Sequence, residues 1–211
     1  MLTPNAALAD YSEIVPDERR RRLLFAAMEV MVKVPLENVT MERIAREAKV
    51  TRVTLYREFG NRGTLIEAVI AFRLILFDKD FFQNTDSNLD FPELVQRYLI
   101  ASVLASKSGA ATRRWTRGGM KFLHSGSLIH RVATATWTPI LAKYNASGDP
   151  VNGIKAEDIG LWLIVLQYSL GRMVFDTGCD EQTVLSIVRQ FVSPAFLARE
   201  GAAGSAGSEI A

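Results

Sequence analysis

The segment Thr40-Met-Glu-Arg-Ile-Ala-Arg-Glu-Ala-Lys-Val-Thr-Arg-Val-Thr-Leu-Tyr-Arg-Glu-Phe59 decides the fold. Thr40 is an N-cap residue ahead of a short helix whose Met41, Ile44, Ala45 and Ala48 fall on one face. Thr51 repeats the signal for a second short helix, on which Leu55 and Phe59 lie four apart and share a face. Burying those two against Ile44 and Ala45 leaves Arg52, Val53, Thr54, Tyr56 and Arg57 at the rim or outside. Two short helices joined by a tight turn, the second free of bulky apolar residues on its outer side, form a helix-turn-helix pattern.

Working outward, Leu24, Ala27, Met28 and Met31 recur at helical spacing and Pro35 ends their run. Downstream, Gly60 stops the second short helix, and Asn61 caps a longer one through Leu65, Val69 and Phe72. Residues 17–72 therefore read as one helical head. Residues 1–16, with Pro4 and Pro16 and no periodicity, read as a loose arm. The outward residues suit a DNA groove. An arginine can grip guanine O6 and N7, and a valine or a threonine methyl can meet the thymine methyl. Hydroxyls such as those of Thr51 and Thr54 can donate to phosphates, as helix N-termini do through backbone N–H groups. Arg57 and Glu58 also fit a plain solvated pair.

The stretch Val39–Ile66, including Thr54-Leu-Tyr56 followed by Phe59 and a polar, basic helix start at Asn61-Arg62, resembles the TetR (tetracycline-repressor-like) regulators. The resemblance is strong over residues 17–72 and beyond them consists of length and helical character. It implies that Arg52, Val53 and Tyr56 face bases while Thr40, Thr54 and Arg62 hold phosphates, and it implies a homodimer with a ligand-responsive C-terminal domain. One position departs from the family pattern. The turn residue often filled by glycine is Lys49, which must either bear a left-handed conformation at ~1 kcal/mol or use another turn geometry. Lys49 is also placed to add a phosphate contact.

The remainder of the chain, 73–200, is expected to be a helical effector-binding and dimerisation domain, followed by a disordered tail, 201–211. Residues 78–90, rich in Asp, Asn and Ser, read as a connection, and Asp90 with Glu93 opens the next helix. Further helices are expected near 110–124, 127–144, 155–177 and 181–199, with Pro139 and Pro194 kinking or interrupting theirs. β-alternation is nowhere sustained, so the fold class is all-α: a three-helix DNA-binding head on a helical body. Ile159, Leu163, Leu166 and Leu170, with Val184, Val188 and Phe191, form apolar stripes that can meet their copies in a four-helix interface. A dimer would set two recognition helices one DNA turn, ~34–36 Å, or a multiple apart, matching a palindromic operator.

Bulk properties narrow the classes without deciding among them. The chain has 211 residues, 48% of them apolar, and a net charge of only +2. Its first 70 residues hold 11 basic against 10 acidic groups, so a case for DNA must rest on local arrangement. The run Arg19–Arg22 fits either a solvated helix face or contacts to phosphates. The single cysteine, Cys179, and the lack of a long apolar run point to a soluble, cytoplasmic protein with no membrane contact. His124 and His130 are six apart, the wrong spacing for a metal pair on one helix face, and no cofactor is expected.

Between Leu94 and Gly148 there is no Asp or Glu, while Arg113, Arg114, Arg117 and Lys121 cluster there. These cations either pair with carboxylates such as Asp78, Asp80, Glu157 or Asp158, or mark the mouth of a pocket for an anionic, partly apolar effector. Trp115, Phe122, Trp137, Trp162 and Tyr168 can line that pocket or fill the core. The function these features favour is a sequence-specific regulator, with repression relieved by a small molecule. The competing classes are an activator, a helical adaptor without specific DNA binding, and an all-helical enzyme. Against the enzyme, the sequence has no phosphate loop, His/Glu metal motif or nucleophile elbow.

Overall fold

Asp17 opens the first helix: its carboxylate accepts the N–H of Arg20, and α1 runs Glu18–Lys33. In the computed structural model residues 17–86, 88–107, 126–146 and 156–192 are described, with residues 124 and 194. After a 3₁₀ turn at Leu36–Asn38 come α2 (Met41–Glu47), α3 (Arg52–Phe59) and α4 (Arg62–Asn84). The body adds α5 (Phe91–Lys107), α6 (Leu128–Ala146), α7 (Ala156–Thr177) and α8 (Glu181–Ile187), which continues as a π turn over Val188–Val192. These are eight α-helices, with no strand, among the described residues.

The head has its own core. Leu23, Leu24, Ala27 and Met31 of α1 meet Ile44 and Ala45 of α2, Leu55 and Phe59 of α3, and Leu65 and Val69 of α4. A second core, in the body, holds Phe81 of α4, Leu99 and Val103 of α5, Trp137 and Leu141 of α6, and Leu163 and Leu170 of α7. Between them Ala71 and Ile75 of α4 pack on Ile129 and Val132 of α6. One helix, α4, thus contributes to all three clusters and joins head to body.

Three expectations are corrected. The Asp/Asn-rich stretch after residue 77 is not all connection, because α4 continues to Asn84. Phe81 is buried there and packs on Tyr98, and Asp78 finds hydroxyl partners on two other helices. Pro139 does not interrupt its helix, for α6 runs on to Ala146. Buried Val132, Trp137 and Leu141 anchor it on either side, offsetting the ~3 kcal/mol an interior proline costs. The last segment keeps α geometry only to Ile187 and then widens. The helix expected at 110–124 lies outside the described residues, apart from His124.

Candidate nucleic-acid interface

Local chemistry positions α3. Thr51 caps it by accepting the N–H of Thr54, and the two threonine hydroxyls lie 3.0 Å apart. Gly60 ends it at φ 75°, with its N–H donating to the carbonyl of Tyr56. Asn61 and Thr64 then form a reciprocal capping box that starts α4. Thr40 caps α2 in the same way, accepting the N–H of Arg43 at 3.2 Å. Lys49 takes the left-handed conformation, φ 54°, so the turn keeps its geometry without glycine. The N–H groups of Ala48, Lys49 and Val50 all donate back to α2 carbonyls, which holds the turn closed.

The buried face of α3 is Leu55 and Phe59. Its outer face exposes Arg52, Val53, Tyr56 and Arg57, with Val53 75% exposed. The helix is braced from behind by α1: Arg19 pairs with Glu58 at 3.5 Å, and the Arg20 guanidinium lies 5.2 Å from the Phe59 ring centre. Glu58 therefore pairs across to α1 rather than with Arg57, and two of the four α1 arginines brace the head.

The cations of the head divide into committed and free. Lys33 pairs with Glu47 at 3.0 Å, and Arg46 with Glu42 at 3.7 Å. Arg62, half-buried, donates from its guanidinium to the carbonyls of Val39 and Leu36 and pins the 3₁₀ turn to α4. That is a structural use of a side chain that the family resemblance assigns to phosphates. A clamp on carbonyls 23 and 26 residues away leaves no trace in local spacing. Arg43, Lys49, Arg52 and Arg57 are exposed, and none has a carboxylate partner among the described residues. Arg43, at the start of α2 beside Thr40, is a candidate contact that sequence reasoning missed. Its freedom shows only once the neighbouring ion pairs are seen. Thr40, Lys49 and Thr51 are exposed and Thr54 is half-exposed.

The candidate residues of the body are more scattered. Trp137 is fully buried in the core against Tyr98, while Tyr168 is half-buried and Trp162 is 42% exposed. These three therefore differ widely in burial. Arg114, Trp115, Arg117, Lys121 and Phe122 lie outside the described residues. Leu163, Leu170, Val184 and Val188 are buried within the protomer's own core, and Leu166 is half-buried against it. Being already covered, the first four cannot form the outer face of a dimer surface. The side chain of Ile159 is not among those described. Outward on α7 lie Leu161, Trp162, Val165 and Ser169, and Phe191 is 70% exposed. Helix α7 is apolar on two faces, and spacing alone cannot say which one the protomer covers.

A buried polar cluster was not anticipated as such. Asp78 of α4 accepts from the Tyr98 hydroxyl of α5 and lies 2.6 Å from the Thr136 hydroxyl of α6. Burial pushes its carboxyl up to about 6, against the opposing pull of those two hydrogen bonds.

A three-helix head presenting the outer face of its third helix, carried on a body that is helical throughout its described elements, defines a helix-turn-helix architecture. Residues 23–69 match the family model for bacterial regulatory proteins of the tetR family. Over 65 residues the chain is 37% identical to the HTH-type transcriptional regulator SrpR of Pseudomonas putida, covering 31% of this chain and 30% of that one. Over 64 residues it is 38% identical to a second Pseudomonas putida protein, the HTH-type transcriptional regulator TtgW, covering 30% and 48%. The match thus spans less than half the length of these curated relatives.

Solved structures extend the likeness to the body. A TetR transcriptional regulator from Rhodococcus sp. RHA1 superposes with a TM-score of 0.61 at 18% identity, over 89% of this chain and 95% of that one. The TetR family repressor AlkX from Dietzia sp. superposes at 0.57 and 17% identity, over 85% and 95%. At such identities the likeness is one of fold. The head thus matches the tetR family of bacterial regulatory proteins over residues 23–69, and the chain shares the fold of solved TetR regulators.

Proposed function

We propose that the chain is a sequence-specific DNA-binding transcriptional regulator whose α3 enters the major groove. The observation that carries this is the sorting of α3 itself. Leu55 and Phe59 are buried, while Arg52, Val53, Tyr56 and Arg57 are exposed on one side. In this reading Arg52, Val53 and Tyr56 face base edges, and Thr40, Arg43, Lys49, Thr51 and Thr54 sit along the phosphates. The protein would act as a homodimer on a palindromic operator, through the outer α7 face of Leu161, Trp162 and Val165 rather than through the residues the protomer buries. A small molecule bound in the body, anionic and partly apolar by the acid-free charge of 94–148, would release it as a repressor. Helix α4, shared by all three clusters, is the element such a ligand would bias. The family that the head matches is one of bacterial regulatory proteins.

Selection of duplexes from a random library, followed by fluorescence anisotropy across salt, tests the reading. A recovered palindrome, with Arg52→Ala and Tyr56→Ala each weakening binding by ~1–3 kcal/mol, is the expected result. Weak, sequence-blind binding unaffected by either substitution would reduce the chain to an adaptor that keeps the fold.

A further inference from the structure

Val53 is the most exposed of the large apolar side chains among the described residues, at 75%. It stands on the first turn of α3, two residues after the Thr51 cap, and its outward neighbours on the helix are Arg52, Tyr56 and Arg57. One isopropyl group ringed by two guanidinium groups and a phenol is too small and too charged a patch for a protein partner, whose contact would need a contiguous apolar area. In the major groove the apolar feature available to it is the C5 methyl of thymine, a group of matching size.

We propose that Val53 determines specificity by packing on the methyl group of a thymine in each half-site, so that the operator contains a thymine read by its methyl rather than by hydrogen bonds. The inference rests on the DNA-binding reading and adds to it the identity of one base and the atom recognised. Burying one methyl group against another apolar group predicts roughly a four-fold gain in affinity per half-site.

The test replaces each thymine of the selected duplex, one position per half-site at a time, with deoxyuridine. This removes the methyl and leaves every base-pairing group in place. The expected result is one position at which the wild type loses about four-fold. Val53→Ala, already weaker on the thymine duplex, would show no further loss at that position. The valine is exposed, so the alanine variant leaves the Leu55 and Phe59 core in place, and its far-ultraviolet circular dichroism should match the wild type. Specific binding that tolerates deoxyuridine at every position, or a deoxyuridine penalty undiminished in Val53→Ala, would overturn the inference while leaving the DNA-binding reading intact. Failure to select any duplex over random DNA would remove that reading, and the inference with it.

Discussion

The carboxylate of Glu67, in the second turn of α4, accepts the N–H of Leu128, the first residue of α6 and 61 positions further along the chain. Ser127 supplies the ordinary cap by accepting the N–H of His130 at 3.0 Å. The start of α6 thus has one orphan donor satisfied by its own cap and another by the helix that leaves the head. A carboxylate at a helix N-terminus also complements the dipole. Truncation by Glu67→Ala should cost ~1–3 kcal/mol in urea denaturation, and Glu67→Gln should recover part of it. No loss in the alanine variant would mean that the apolar contact of Ala71 and Ile75 with Ile129 and Val132 holds head to body unaided.

Arg62 and Arg43 are predicted to separate cleanly. Arg62 donates to the carbonyls of Leu36 and Val39, so Arg62→Ala leaves two half-buried acceptors short and should lower stability by ~2–3 kcal/mol. Arg43→Ala removes an exposed cation with no carboxylate partner among the described residues and should leave stability within ~0.5 kcal/mol. On DNA the order reverses at the level of salt: Arg43→Ala should reduce the salt slope by ~1. Denaturation midpoints and a salt titration of anisotropy together check both halves.

Lys49 carries two opposed effects. Its left-handed backbone, φ 54°, is disfavoured for a residue with a Cβ, so Lys49→Gly should stabilise the fold by up to ~1 kcal/mol. The same change deletes an exposed ammonium group beside α3 and should weaken DNA binding most at low salt. A variant that is both more stable and a poorer binder would identify backbone strain retained for a contact. Unchanged affinity would leave Lys49 with no role beyond the turn.

These positions also mark how far the sequence could be read. The head was legible because its signals are local: Thr40, Thr51 and Asn61 each cap the helix immediately after them, and Leu55 and Phe59 are one helical turn apart. Arg62 and Asp78 were not, since their partners lie 20 to 58 residues away and only the packed chain brings them together. Asp78 also disguised the length of α4, because an acidic, polar stretch looks like a loop until its buried partners are known. On α7 the difficulty was the opposite. Two apolar faces of one helix give the same periodic signal, so Leu163 and Trp162 could not be sorted into core and surface.

The outer face of α7 offers a direct check on assembly. Trp162 is 42% exposed, with Leu161 and Val165 beside it, an unusual density of large apolar groups on a surface. Trp162→Glu should leave the protomer folded, since the fully buried Leu163 faces the other way. Light scattering at micromolar concentration should then report a dimer for the wild type and a monomer for the variant. A dimer in both would place the interface elsewhere, with Phe191 the next exposed position to change.

Asp78 makes a prediction about pH whose sign follows from geometry. The Thr136 hydroxyl lies 2.6 Å from the Asp78 carboxyl and 2.9 Å from the Val132 carbonyl, yet has one hydrogen to give. Protonation of Asp78 would remove the competition: the acid could then donate to Thr136 and leave the Thr136 hydrogen for Val132, while Tyr98 donates to the other carboxyl oxygen at 2.6 Å. Burial favours the same state, raising the carboxyl from 3.8 to about 6. The folded protein therefore binds more protons than the unfolded chain between those values. Its stability from this group is greatest at low pH and is lost as pH rises through about 6. At neutral pH the ionised, buried carboxylate should cost roughly 2 to 3 kcal/mol. In Asp78→Asn the amide donates to Thr136 and accepts from Tyr98, reproducing the neutral arrangement without a titrating group. The stability advantage of Asp78→Asn over the wild type should thus be small near pH 4 and grow to its full size by pH 7. Asp78→Ala, which removes the acceptor of the Tyr98 hydroxyl and one partner of the Thr136 hydroxyl, should be less stable than Asp78→Asn at every pH. An advantage that stays flat across that range would show that Asp78 titrates as an ordinary surface acid despite its burial.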